Sequence, residues 1–449
     1  MPDLFAARTQ MAVSLGFHIV FTCIGMAMPW LMAAAEWRYM RSGDPLDREL
    51  AKAWAKGVAV FFAIGAVSGT VLSFELGLLW PGFMRHAGAI IGLPFSWEGT
   101  AFFIEAIALG LFLYGWERLS PTVHLLSGLV VGVSGVASGV LVIAANGWMN
   151  SPRGFRWEHG QAHDIDPVAA MFNAAWATEA VHMVIAAFVS TGFAVAGLHA
   201  LRLLRGGRAS GDRDVLRRFH QKGLRLALAM GAVAALLQPL SGDASAKDVA
   251  RRQPAKLAAM EALYRTQRAA PLLVGGIPDD AAQRVRFGFE IPYALSFLAH
   301  GDIEAEVIGL DRVAREHWPP TVVCHLAFQI MVGCGSALSL LGLAFFVLRR
   351  YRPDWLERRA FLQATMFATP LGFVAVEAGW TVTEVGRQPW IIYGVMLTRD
   401  ALTPMPGLIW PLTVMMSVYL SLSVVAYLVM QRLIRSTEVR LAAAEKRHG

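Results

Sequence analysis

The sequence predicts an all-α fold, a polytopic membrane helix bundle with about nine transmembrane helices, an outside N-terminus and a cytoplasmic C-terminus. Of the 449 residues, 55% are hydrophobic and only 16% are charged, whereas about 25% of the residues of a soluble protein are charged. Apolar stretches of about 20 residues or more recur along the chain, and about 20 residues is the length that an α-helix needs to cross a bilayer. The loops between them alternate in basicity, which gives each helix a direction.

The predicted helices follow these apolar stretches in order. They lie at about 11–35, 54–80, 95–117, 122–147, 176–204, 220–240, 320–348, 358–385 and 407–433. The net charge of +7 comes from the loops, so the chain shows no basic folded surface for nucleic acid. The three cysteines lie singly inside apolar stretches, and this spacing indicates neither a zinc site nor a disulfide framework.

Four basic segments set the predicted orientation. They lie at 38–56, 202–218, 349–359 and 432–447. With nine helices all four fall on one side of the membrane, and the positive-inside rule makes that side the cytoplasm.

One long segment on the outer side divides the chain. We expect a six-helix membrane portion at 1–240, an extracytoplasmic segment at 241–319 and a three-helix membrane portion with a cytoplasmic tail at 320–449. A connection of this length in a compact protein is usually functional or disordered. The apolar character of 255–262 (AKLAAMEA) favours a partly helical binding loop.

Ionisable side chains inside spanning helices are costly, so each is a candidate functional residue. His18 and His182 each allow two interpretations: a histidine hydrogen-bonded to a neighbouring helix, or an axial ligand of haem iron. Met331 is either core filler or the thioether that commonly accompanies histidine in six-coordinate haem.

Two pairs of acids have helical spacing. Glu98 and Glu105 lie seven residues apart, as do Glu377 and Glu384, which places each pair on one helix face. Arg387 follows Glu384 by one turn. The two form either an interfacial ion pair at the helix end or a site in which the arginine neutralises an anionic cofactor group.

The whole pattern resembles subunit I of the cytochrome bd quinol oxidases. The resemblance covers nearly the full chain in order, and GRQPW at 386–390 is its most specific motif. The other matching segments are SLGFHIVF (14–21), FSWEGTAFFIEA (95–106), AANGWMNSPRGF (144–155), TEAVHMVIAAF (178–188), AKLAAMEA (255–262), FQIMVG (328–333) and GWTVTE (379–384).

This resemblance implies three haems and their ligands. His182 and Met331 resemble the axial ligands of a low-spin haem b. His18 and Glu384 resemble the ligands of two high-spin haems, one haem b and one haem d, and which residue holds which haem stays open. Trp380 resembles an aromatic residue packed between haems.

The resemblance also implies sites for quinol and protons. Lys256 and Glu261 resemble the quinol-contacting pair of the outer loop. Glu98 and Glu105 resemble acids of a proton path toward the oxygen-reducing site, and Arg387 resembles a residue that supports the haem cluster.

The implied function is a terminal respiratory oxidase of the bacterial inner membrane that oxidises ubiquinol or menaquinol, reduces oxygen to water and separates charge. The implied partners are a second membrane subunit, subunit II, and small single-helix subunits. The alternative is a b-type membrane cytochrome that passes electrons from quinol to a partner without reducing oxygen. It needs His182 and Met331 but neither His18 nor Glu384.

Two features depart from parts of the family. Gln329 stands where some members have arginine, which leaves the potential of the low-spin haem open. The outer loop is short, so the chain resembles the short-loop branch, with a cyanide-insensitive enzyme as an open alternative.

Overall fold

The computed structural model describes residues 2–158, 160–206 and 213–448. Part of the basic segment 202–218 therefore lies outside the described residues. Within these ranges, nine helical segments are long and apolar enough to cross a membrane. The predicted all-α membrane fold is confirmed for this part of the chain.

The helices are bounded as follows. They are α1 (Pro2–Ser42), α2 (Pro45–Leu79), α3 (Pro81–Tyr114), α4 (Pro121–Asn150), α5 (Pro167–Met171), α6 (Trp176–Gly206), α7 (Arg213–Arg252), α8 (Pro254–Met260), α9 (Ala294–His300), α10 (Thr321–Tyr351), α11 (Arg359–Phe367), α12 (Leu371–Val385) and α13 (Ile409–His448). Pro45, Pro81, Pro121, Pro167 and Pro254 each begin a helix, the position where a missing N–H leaves no intrahelical bond unmade.

Several helices differ in extent from the apolar stretches that predicted them. The eighth predicted helix is divided at residues 368–370 into α11 and α12, where Pro370 cannot donate a backbone hydrogen bond. The sixth continues past residue 240 to Arg252. Hydropathy marks only the hydrocarbon-facing part of a helix, so polar turns beyond the membrane go uncounted.

Short antiparallel strands form the remaining regular structure. They are β1 (Arg156–Glu158), β2 (Gln161–His163), β3 (Gln267–Arg268), β4 (Leu272–Val274), β5 (Ile277–Asp279), β6 (Arg284–Arg286), β7 (Phe289–Ile291), β8 (Glu306–Val307), β9 (Trp390–Ile392) and β10 (Met396–Leu397). The pairs are β1–β2, β3–β8, β4–β7, β5–β6 and β9–β10. Three of them, together with α8, fold residues 254–319 into an ordered lid.

Two apolar cores hold the helices and the lid. The larger contains Trp54 near the start of α2, Phe219 near the start of α7 and Phe345 near the end of α10, so it lies toward the basic loops. A separate cluster that includes Leu257 and Leu310 lies under the lid. Most of the predicted site residues lie in the opposite half of the bundle from the larger core.

Close packing of α1, α3 and α4 depends on the glycine stripe of α4. A Cβ at Gly135 would lie 3.0 Å from the carbonyl oxygen of Gly25 and 3.5 Å from Glu105 Oε1. A Cβ at Gly132 would lie 2.8 Å from Trp30 Nε1. Small residues here let α1 and a buried acid approach the backbone of α4.

Candidate functional site

A chain of hydrogen bonds links three helices at the end of the bundle that carries the lid. Lys256 Nζ of α8 donates to Asn150 Oδ1 of α4 over 2.8 Å. Asn150 Nδ2 donates to Asn146 Oδ1 over 3.0 Å, and Asn146 Nδ2 donates to Glu384 Oε1 of α12 over 2.5 Å. One predicted quinol residue and one predicted iron ligand are thus joined through two asparagines, and we call this set the asparagine chain.

Arg387 lies at the Glu384 end of the asparagine chain. Its Nη2 donates to Glu384 Oε2 over 2.6 Å, so both oxygens of that carboxylate are bonded. Its side chain is only 2% exposed, and Nε and Nη1 are buried without a hydrogen-bond partner among the described residues. The predicted ion pair is present, and the arginine keeps spare donors that suit a further anionic group.

A cleft of about 340 Å³ opens beside Arg387. Arg312, His317 and Trp390 line it, and the rings of His317 and Trp390 lie 4.9 Å apart. Pro254 of α8 lies on its rim, so the cleft connects the start of the lid with the GRQPW segment. Positive and aromatic groups therefore face this opening together.

Lys256 and Glu261 are both buried in the lid, at 3% and 5% exposure. Burial lowers the pKa of Lys256 to about 8, while the nearby carboxylate of Glu179 opposes that shift. Burial raises the pKa of Glu261 to about 8. Glu261 Oε2 has no hydrogen-bond partner among the described residues, so it is available to a bound molecule.

His18 and His182 lie on different helix pairs. His18 of α1 faces α2, where its Nδ1 is 2.9 Å from Ser68 Oγ. His182 of α6 faces α7, where its Nδ1 is 3.0 Å from Ser241 Oγ. Each ring is thus hydrogen-bonded to the neighbouring helix, as the first interpretation of the sequence expected, and His182 Nε2 also lies 3.1 Å from Gln238 Nε2.

Met331 and Trp380 meet where α10 packs against α12. A Cβ at Gly379 would lie 3.0 Å from Met331 Sδ, so the thioether lies directly on the α12 backbone. Trp380 packs in one cluster with Ile19 of α1 and Met183 of α6, the residues that follow His18 and His182. The helices that carry the predicted haem ligands therefore converge around this tryptophan.

Glu98 and Glu105 both face α4. Ser138 Oγ donates to Glu98 Oε1 over 2.9 Å, and Glu105 lies against Gly135. The spacing of seven residues correctly placed both acids on one face of α3. Glu105 is 5% exposed, so it is the more deeply buried of the two.

Gln329, which departs from parts of the family, anchors the lid together with His325. Gln329 Nε2 donates to the Leu273 carbonyl over 3.0 Å, and Gln329 Oε1 accepts from the Gly275 N–H over 2.9 Å. His325 contacts the carbonyl oxygens of Met260 and Gly275 through its two ring nitrogens, at 2.8 and 3.0 Å. Both side chains therefore fasten the lid to α10.

Sequence reasoning missed the part that Asn146 and Asn150 play in the site and the burial of the Glu179 carboxylate. Asn146 and Asn150 stand in the segment AANGWMNSPRGF that carries the resemblance, spaced one helical turn apart. Glu179 Oε2 is buried without a hydrogen-bond partner among the described residues and lies close to Gly147. An amide pair at this spacing in an apolar helix was the available signal.

The side chains fit haem better than a bare metal ion. Clusters of three or more His, Cys, Asp or Glu residues able to hold an ion are absent from the described part of the chain. The candidate ligands instead stand singly, and a porphyrin needs only one or two axial side chains. Buried atoms of Trp380, Glu377 and Arg387 lack partners among the residues described, as expected where a large polar group belongs.

Comparison with known proteins decides the family. The model of the family "Cytochrome bd terminal oxidase subunit I" matches residues 6–438. The chain belongs to this family. It is therefore a haem-containing subunit of a terminal oxidase and a multi-pass protein of a bacterial membrane. Membership of an oxidase family disfavours the alternative of a cytochrome that does not reduce oxygen.

Individual relatives agree over most of their length. The chain is 37% identical over 408 residues to the "Putative cytochrome bd menaquinol oxidase subunit I" of Bacillus subtilis (strain 168), covering 90% of each chain. It is 30% identical to the cytochrome bd ubiquinol oxidase subunit 1 of the same organism, covering 90% of this chain and 87% of the relative. The solved bd oxidase from Geobacillus thermodenitrificans matches with a TM-score of 0.90 and 34% identity, over 97% of this chain and 98% of that chain.

The asparagine chain makes a prediction about the lid of this oxidase subunit. Asn150→Leu removes the acceptor of Lys256 and leaves a buried ammonium without that partner, which should destabilise α8 by about 1–3 kcal/mol. Hydrogen–deuterium exchange of residues 254–261 in the purified oxidase should then become faster. Asn150→Asp keeps an oxygen for Lys256 and serves as the control. Equal exchange in Asn150→Leu and the parent protein would show that this contact does not hold the lid.

Proposed function

We propose that this subunit oxidises quinol beneath the lid and supports the reduction of oxygen to water in the same bundle, with charge separation across the membrane. The asparagine chain carries this proposal, because it joins a buried lysine of the lid to the half-buried Glu384 carboxylate beside the GRQPW segment. We place the N-terminus and the lid outside and the C-terminus in the cytoplasm. Subunit II and small single-helix subunits complete the enzyme, and ubiquinol or menaquinol is the donor.

The haem ligands come from helices that converge on Trp380. His182 and Met331 hold a low-spin haem b, and His18 and Glu384 hold two high-spin haems, one haem b and one haem d. When bound, these haems would supply iron that carries single electrons and delivers them to oxygen. Arg387, with its spare buried donors, balances negative charge at this site.

Lys256 and Glu261 bind the quinol head group. A buried ammonium orients a quinol oxygen by donating to it, and the unpaired Glu261 Oε2 accepts a proton from the quinol hydroxyl. Protons released under the lid leave on the outer side. The lid, held by His325 and Gln329, keeps these two side chains out of bulk water.

Glu98 and Glu105 hold protons on their way from the cytoplasm to the oxygen-reducing site. Both face α4, and Ser138 extends the polar row between α3 and α4. Because the protons for water enter from the inner side while quinol protons leave outside, charge is separated without a moving pump element.

A reduced-minus-oxidised spectrum, repeated with carbon monoxide, tests the proposed function. The purified oxidase should show a low-spin b band and a far-red d band that shifts with carbon monoxide. His182→Ala should lose the low-spin band, and His18→Ala should lose a carbon monoxide-sensitive signal, because each removes an axial ligand. His300→Ala, at an exposed residue of the lid, is the control. A b band without any response to carbon monoxide would overturn the assignment of His18 and Glu384.

Glu105→Gln should slow oxygen reduction by about 10²–10⁴-fold, the usual range for loss of a proton-transfer group. The low-spin haem should stay reducible by quinol, because electron entry does not use this acid. Stopped-flow reduction and oxygen uptake on the same preparation separate the two steps. Glu117→Gln, in the loop after α3, should change neither. Normal oxygen uptake in Glu105→Gln would remove this acid from the proton path.

The rate of quinol oxidation should depend on pH through Glu261. The carboxyl must be ionised to accept a proton, and its pKa is raised to about 8 by burial. The rate should therefore rise about tenfold per pH unit below pH 8, and it should fall again above pH 8 as the Lys256 ammonium, whose pKa is lowered to about 8, loses its proton. Anaerobic reduction of the low-spin haem by quinol measures this rate. Glu261→Gln should abolish the rise, whereas Glu304→Gln, an exposed acid of the lid, should retain it; the same slope in Glu261→Gln would exclude its role as base.

A further inference from the structure

The two histidines proposed as iron ligands meet the same dipeptide on their neighbouring helices. His18 lies against Ser68 and Gly69 of α2, and a Cβ at Gly69 would lie 3.0 Å from His18 Cε1. His182 lies against Ser241 and Gly242 of α7, and a Cβ at Gly242 would lie 3.6 Å from His182 Cε1. We call each Ser–Gly pair a serine cradle.

The serine hydroxyl hydrogens point away from the histidines. Ser68 Oγ lies 3.0 Å from the Ile64 carbonyl oxygen and 3.1 Å from that of Gly65, and it donates to them. Ser241 Oγ donates to the Gln238 carbonyl oxygen over 2.9 Å. A hydroxyl has one hydrogen, so each oxygen turns a lone pair toward the histidine Nδ1. With the hydroxyl hydrogen on the backbone carbonyl, the ring makes this bond by carrying its own hydrogen on Nδ1.

Gln238 contacts the same ring at the second site. Its Nε2 lies 3.1 Å from His182 Nε2 and 3.2 Å from Nδ1, and it also donates to the His182 carbonyl oxygen over 3.3 Å. An amide N–H needs an acceptor, and the acceptor of a neutral imidazole is the nitrogen without hydrogen. A hydrogen on Nδ1 leaves His182 Nε2 as that acceptor, and Gln238 gives up this contact when iron takes the same lone pair.

We propose that Ser68 and Ser241 are positioning residues that hold His18 and His182 in the Nδ1–H tautomer and so present each Nε2 lone pair to haem iron. This rests on the proposed function. A metal-bound histidine is usually oriented by a hydrogen bond at its other nitrogen, which also makes the ligating nitrogen more basic. Gly69 leaves room for the His18 ring beside the serine, whereas a Cβ at Gly242 would make only ordinary contact with the His182 ring.

The two cradles lie on separate helix pairs, which allows each to be the control for the other. Ser68→Ala and Ser241→Ala are made in the intact oxidase, and the midpoint potential of each haem is measured by spectroelectrochemical titration. Loss of the hydrogen bond makes the ligand less basic and favours reduced iron, so the potential rises. A tenfold shift in this preference is about 59 mV for a one-electron couple.

Each variant should move a different haem. Ser241→Ala should raise the potential of the low-spin haem alone, and Ser68→Ala should raise that of a high-spin haem alone. Ser68→Thr and Ser241→Thr keep the hydroxyl and should restore the parent values. For Ser68→Ala, the iron–histidine stretching band in the resonance Raman spectrum should also move to lower frequency, which reports on the ligand without a titration.

The outcomes separate this proposal from the proposed function. If His18→Ala and His182→Ala lose haem signals while both serine variants keep the parent potentials, the cradles do not position the ligands. If either serine variant shifts all haems alike, the effect is a general loosening and the proposal is equally overturned. If the histidine variants themselves keep every haem signal, the proposed function fails first.

Discussion

The bilayer leaves no water for a polar side chain to bind, and this constraint explains where the functional groups of this subunit stand. Each buried polar residue needs a hydrogen-bond partner, and at the candidate site several of these partners stand on another helix. Lys256 reaches Asn150, Asn146 reaches Glu384, and Glu98 reaches Ser138. Where a partner is lacking among the described residues, as at Arg387 and Trp380, space for a cofactor is expected.

The two ends of the bundle differ in the kind of side chain that lies between the helices. Toward the basic loops the helices close on an apolar core around Trp54, Phe219 and Phe345, which stabilises the arrangement without chemistry. Toward the lid the same helices carry acids, amides and histidines. A rigid apolar end therefore fixes the helices that hold the reactive end, and the reactive side chains need little packing of their own.

The sequence was sufficient for features that depend on one helix at a time. Apolar length predicted the spanning helices, and seven-residue spacing predicted that Glu98 and Glu105 share a face. The sequence was insufficient where distant helices meet. Asn150 takes part in the site because α8 lies across the end of α4, and no local pattern encodes that contact. The end of α7 was also missed, because hydropathy falls at Asp243 although the helix continues to Arg252.

α7 runs without a break from Ser241 to Arg252, and it therefore fixes the rotation about its axis at which α8 begins. Ser241 and Arg252 lie on one helix, eleven residues and so about 16 Å apart. Each residue inserted between them would turn α8 by about 100° about that axis and carry Lys256 away from Asn150. Between Ser241 and α10, length variation is therefore tolerable only after α8. A longer lid could be engineered at the exposed turn between β5 and β6, away from the Gly275 contacts with Gln329 and His325.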